Sequence, residues 1–158
     1  MSDQNLNLGI FGFIIMSIGV ALIYFSVNTQ NQLNPTCNNS KLFTYLNLIL
    51  MLAVLLTILP IVTFICHNSD MCVCPDKSGF SDTSSYMIVF SILCILIIIL
   101  AGLANTELTN SDTLCKTDGA RTNITVMIVM PLIPLVLIIG YYMFPKMLDL
   151  FSGKDKNN

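Results

Sequence analysis

Apolar residues in this chain come in four long runs, and polar residues collect in the stretches between them. No Asp, Glu, Lys or Arg occurs between Asp3 and Lys41, Lys41 and Asp70, Asp82 and Glu107, or Arg121 and Lys146. Each uncharged gap holds a run long enough to cross a bilayer, since about 20 helical residues rising ~1.5 Å each span a ~30 Å hydrocarbon core. The pattern predicts four membrane-crossing helices, at about 8–27, 42–65, 86–103 and 124–144. The third, YMIVFSILCILIIILAGL, is the most uniformly apolar. Because the runs are continuous rather than alternating, they do not read as strands of a porin-like barrel. The expected architecture is all-α: one four-span membrane domain over 1–158, with short connectors and both termini on one face.

The connectors predicted by this pattern are 28–41, 66–85 and 104–123. They hold Asn, Ser, Thr, Asp, Pro and Gly, the residues of turns. None is long enough for a separate domain. No internal repeat stands out, so an inverted-repeat transporter is not expected. The first run follows Asp3 and no Lys or Arg, whereas a signal peptide has a basic start and a shorter apolar core, so it reads as a retained span.

Composition agrees with a membrane protein. The 158 residues are 54% hydrophobic and 10% charged, against about 25% charge in a soluble domain. The net charge of −2 provides no basic footprint for nucleic acid. The terminal face would carry Lys77, Lys146, Lys154 and Lys156, and the opposite face Lys41, Lys116 and Arg121. By the positive-inside rule this small excess leans towards cytosolic termini.

Small residues suggest where helices meet. In lipid, helices associate through close packing and a few polar contacts. Gly9, Gly12, Met16, Gly19, Ile23 and Ser26 recur at steps of three and four, which aligns them along one stripe of the first span. Ser17 and Ala21 form a second small pair beside it. Asn47 in the second span should find a hydrogen-bond partner in a neighbouring span. Pro131 and Pro134 interrupt the fourth. All five tyrosines, Tyr24, Tyr45, Tyr86, Tyr141 and Tyr142, fall near span ends, as an interfacial aromatic belt would require.

The chemistry available to the chain is narrow. The predicted spans hold no Asp, Glu, Lys, Arg or His, the groups that proton relays and ion pathways ordinarily use. One histidine, His67, cannot build an H-E-x-x-H site, and Gly79 and Gly153 stand alone rather than in a phosphate loop. No cofactor, catalytic residue or metal site is expected, and the chain does not read as an enzyme.

Six cysteines remain: Cys37, Cys66, Cys72, Cys74, Cys94 and Cys115. Cys94 lies mid-span and reads as a small apolar filler. Cys37 and Cys115 fall in the first and third connectors, on the same face, and on an oxidising face a bond between them would brace the bundle. The same connectors carry two N-glycosylation sequons, Asn38-Asn39-Ser40 and Asn123-Ile124-Thr125. The second connector holds the loop thiols Cys66, Cys72 and Cys74. With His67 they could supply soft ligands for zinc, but Cys-His and Cys-x-Cys depart from the usual knuckle spacing.

Four spans, termini together and cysteines in the outer connectors resemble tetraspan membrane proteins generally. The chain lacks the Cys-Cys-Gly motif of tetraspanins and has no Trp for the claudin loop motif. It also resembles, in composition and along its whole length, the small inner-membrane and membrane-linked minor capsid proteins of large icosahedral DNA viruses: short, multispan, rich in Asn and Ile. That resemblance implies a structural protein of a virion inner membrane, whose partners are the lipid bilayer and other membrane or capsid proteins, or a second copy of itself. Two alternatives stay open. One is a membrane thiol–disulfide oxidoreductase using Cys72 and Cys74 with Cys37 or Cys115. The other is a passive oligomeric channel.

Overall fold

A computed structural model describes residues 3–33, 37–68, 83–111, 115 and 117–140, with side chains from residue 12 onward except at 63–68 and 83–86. The fold is all-α. Four helices follow in order: α1 (Asp3–Gln32), α2 (Ser40–Asn68), α3 (Thr83–Asn110) and α4 (Asp118–Val129). After a turn at Met130 and Pro131 the chain is helical again over 132–140. α1 packs beside α2 and α4, and α3 packs beside the same two, so the helices form a ring in chain order. Membrane-length apolar stretches lie at Gly12–Gln32 in α1, Ser40–Val62 in α2 and Met87–Asn110 in α3, and at Asp118–Gly140, which runs from α4 through the turn into the last helical segment. The protein is a multi-pass membrane protein with a four-helix bundle.

The helices outrun the apolar runs. α1 continues five residues beyond the predicted end of its span, through Asn28–Gln32, and α3 continues to Asn110. α4 starts at Asp118, six residues before the expected position. Half of the first predicted connector and most of the third are therefore helix. Hydropathy marks where a helix enters lipid, whereas the backbone keeps its i→i−4 bonds for as long as nothing breaks them. Thr residues help here by returning their hydroxyls to the helix: Thr29 to the Phe25 carbonyl at 2.7 Å, and Thr106 to that of Gly102 at 2.7 Å.

Helix starts are specified locally. Asn39 caps α2, its Oδ1 accepting from the Leu42 amide at 3.2 Å. Thr117 caps α4 in extended conformation, its hydroxyl accepting from the Ala120 amide at 3.2 Å. Each cap satisfies an amide that has no partner inside its own helix.

Prolines shape the other end. Pro60 lies inside α2 and is buried. Pro131 and Pro134, both buried, interrupt the last helix. Pro134 has no N–H for the Met130 carbonyl, which instead accepts from the Ile133 amide at 3.2 Å. One tightened turn thus replaces the regular ladder.

The interior is apolar and close-packed. Ile15, Leu22, Leu46, Ile49, Leu56, Phe90, Ile97, Ile124 and Met127 are fully buried, with Cys94 and Ala53 among them. The outer surface is equally apolar: Phe13, Met51 and Val136 are about two-thirds exposed. In water such a surface would be unstable, and in a bilayer it faces lipid tails. Tyr24 is exposed with its ring edge-on to Phe25, and Tyr45 is half-buried. The side chains of Tyr86, Tyr141 and Tyr142 lie outside the described residues.

Candidate functional site at the disulfide-tied end of the bundle

The predicted stripe on α1 forms the α1–α2 contact. A β-carbon at Gly12 would stand 3.7 Å from Pro60 Cβ. One at Gly19 would meet the Thr57 hydroxyl, the Thr57 amide nitrogen at 3.1 Å and the Ala53 carbonyl oxygen at 3.2 Å. The Ser26 hydroxyl, fully buried, donates to the Leu46 carbonyl at 3.0 Å. Residues 12, 19 and 26 thus meet 60, 53 and 46, with a step of seven on both antiparallel helices. That is the repeat of a left-handed helix pair, in which small residues let the backbones approach. Gly9 lies in α1, but its surroundings are outside the described residues.

One expectation needs correction and one is met in an unexpected place. Ser17 is exposed, turning its hydroxyl back to the Phe13 carbonyl at 2.9 Å, so the Ser17–Ala21 pair is not the contact stripe. Asn47 does find its partner in a neighbouring helix, Gln30, whose Nε2 donates to Asn47 Oδ1 at 3.0 Å. Yet Asn47 is exposed, so this bond lies on the bundle's flank rather than in its core. One helical position separates Asn47 from the core residue Leu46, and apolar flanks on both sides hid that distinction.

Above this contact, polar groups gather at one end. Cys37 and Cys115 form a disulfide with Cα atoms 5.0 Å apart, joining the α1–α2 connector to the α3–α4 connector. Both half-cystines are buried. Cys115 sits in a turn, its carbonyl accepting from the Thr117 amide at 3.2 Å, which leads directly into the α4 cap. Beside the bond, Asn39 Nδ2 donates to Ser111 Oγ at 2.6 Å, linking the start of α2 to the end of α3. Ser111 in turn donates to the Glu107 carbonyl at 2.6 Å. Asn39 therefore serves twice, capping its own helix with its oxygen and tying α3 with its nitrogen.

A second polar link joins α1 to α4. Asn123 Nδ2 donates to Gln32 Oε1 at 3.4 Å, and the Gln32 side chain lies over Gly119 in the first turn of α4. The two sequons consequently differ. Asn38 is exposed in the segment before α2, while Asn123 is buried within α4 and bonded. Exposed Lys41, Asp118 and Arg121 ring this end.

All four helices are thus connected at this end, by one covalent bond and by side-chain hydrogen bonds. The arrangement holds a polar surface in fixed shape. Among the loop thiols, Cys66 belongs to the last turn of α2, with its side chain outside the described residues, and Cys72 and Cys74 lie outside them entirely. Cys94 is fully buried in mid-span. Comparison with family models, with curated proteins and with solved structures finds no match to this chain.

Proposed function

We propose that this chain is a non-enzymatic structural protein that anchors an assembly to a bilayer. The observation that carries the reading is the Cys37–Cys115 bond with its flanking Asn39–Ser111 and Gln32–Asn123 contacts. Together they hold a polar platform at one end of an otherwise apolar bundle. A surface ordered before binding loses less freedom when a partner docks, which favours a stable assembly role. The bundle's apolar exterior supplies the anchor, because every helix has lipid-length apolar surface. In its sharper form, the platform or the basic C-terminal segment holds a capsid shell against an internal membrane. That form draws support from the compositional resemblance to viral inner-membrane proteins.

The test is gentle solubilisation of the native source, followed by sedimentation and cross-linking mass spectrometry. Co-migration with a large particle, with cross-links from Lys41 or Lys116, is the expected result. A small complex with a dithiol protein or quinone would replace this reading with thiol–disulfide exchange. A small homo-oligomer that passes solutes in liposomes would replace it with a channel.

A further inference from the structure

The disulfide divides the cysteines by end of the bundle. Cys37 and Cys115 are joined where α1 and α3 finish and α2 and α4 begin. Cys66 stands 26 residues into α2 from Ser40, about 40 Å away along the helix. Cys72 and Cys74 fall between Asn68 and Thr83, in the segment that joins α2 to α3 at that far end. Cys94 is buried between the two ends.

We infer that the disulfide end faces a thiol-oxidising compartment and the opposite end a reducing one. Three observations carry this orientation. A disulfide forms and persists where thiols are oxidised, so the end that holds Cys37–Cys115 belongs there. The cysteine numbers agree. The disulfide end has two cysteines, all paired, whereas the far end has Cys66, Cys72 and Cys74. Three thiols cannot all pair within one chain, and on an oxidising face the odd one is open to mixed-disulfide formation. A reducing face keeps all three as thiols. The charges lean the same way by sequence order: Lys77 falls between α2 and α3 and Lys146, Lys154 and Lys156 come after residue 140, against Lys41, Lys116 and Arg121 in or beside the connectors that hold Cys37 and Cys115.

The orientation concerns the bundle alone and stands whether or not the chain is an assembly anchor. It is tested on the full chain in closed membrane vesicles of known sidedness. A membrane-impermeant polyethylene-glycol maleimide is applied to one side at a time, and adducts are read as gel shifts after quenching. Separately, an epitope tag appended after Asn158 is challenged with protease from each side. The expected result has three parts. Cys66, Cys72 and Cys74 take label from the cytosolic side or, if sterically shielded there, after denaturation without reductant. Cys37 and Cys115 take label only after denaturation with reductant. The tag is digested from the cytosolic side. Cys66→Ser, Cys72→Ser and Cys74→Ser each remove one adduct. Digestion of the tag from the luminal side only, or labelling of Cys37 or Cys115 without reductant, would overturn the orientation. So would far-end cysteines that need reductant before any of them reacts.

Discussion

Gly19 of α1 lies so close to Ala53 of α2 that a β-carbon there would stand 3.2 Å from the Ala53 carbonyl oxygen. The neighbouring Thr57 amide, at 3.1 Å, closes the other side. Both obstacles include backbone, which cannot rotate away as a side-chain tip can. Gly19→Ala should therefore force the helices apart and destabilise the bundle by about 1–3 kcal/mol. Gly12→Ala meets only Pro60 Cβ at ordinary contact distance, 3.7 Å, and should be neutral or slightly stabilising. Thermal unfolding in detergent, followed by circular dichroism, separates the two. Equal melting temperatures would mean that α1 and α2 do not meet at Gly19.

Replacing Cys37 and Cys115 by Ser removes a link across 78 residues of chain. Loop-closure entropy for so long a loop gives about 4–5 kcal/mol in a freely unfolding chain. Here the spans between the two cysteines remain confined by the membrane, so the loss should be nearer 2 kcal/mol. Reduction of the native protein should lower its stability by a similar amount and slow its gel migration. A double variant as stable as the parent would show that the hydrogen bonds alone fix this end.

Asn39 and Asn38 are adjacent and should behave differently. Asn39→Ala loses the α2 cap and the bond to Ser111, and should cost about 1 kcal/mol or somewhat more. Asn38 is exposed, and Asn38→Ala should fall within about 0.5 kcal/mol of the parent. Hydrogen exchange at the Leu42 amide gives a local readout, with faster exchange expected in Asn39→Ala only.

Ser26→Ala deletes a buried hydroxyl that bonds across to the Leu46 carbonyl. Interhelical hydrogen bonds in membranes average about 0.6 kcal/mol, so the loss should be of that order. Ser26→Val keeps the branch volume but adds a methyl group at a point where the residue is 0% exposed, and should cost more. Chemical unfolding in mixed micelles ranks the three proteins, and Val ranking above Ala would contradict close packing at this position.

The sequence displayed the number and approximate place of the spans, because charge is so costly in lipid that its absence marks them. The α1 stripe was also legible, since glycine at a regular step has few other uses in a membrane helix. Helix ends were not, as the first and third connectors show: lipid constrains polarity, and polar residues such as Asn28 to Gln32 continue a helix readily. Nor was it legible which face of a span turns inward. On α3, buried Phe90, Cys94 and Ile97 alternate with exposed Ile88, Ile92 and Ile95, and the two sets are equally apolar. A soluble helix distinguishes its faces by hydropathy, whereas a membrane helix distinguishes them by shape. The same ambiguity concealed the outward turn of Ser17 and the flank position of Asn47. The Cys37–Cys115 pairing was within reach of topology, whereas the side-chain bonds around it depend on three-dimensional register.

The separation of Cys37 from Cys115 also sets an order of events during synthesis. A chain made from its N-terminus delivers Cys37 first and must then lay down α2 and α3 before its partner arrives. In that interval every cysteine that emerges belongs to the far end of the bundle or to the middle of α3. Insertion into the bilayer therefore keeps the wrong partners out of reach without any help from the shape of the folded protein. The bond can close only after the third span has been made, so its appearance on a non-reducing gel would serve as a timestamp for the completion of α3.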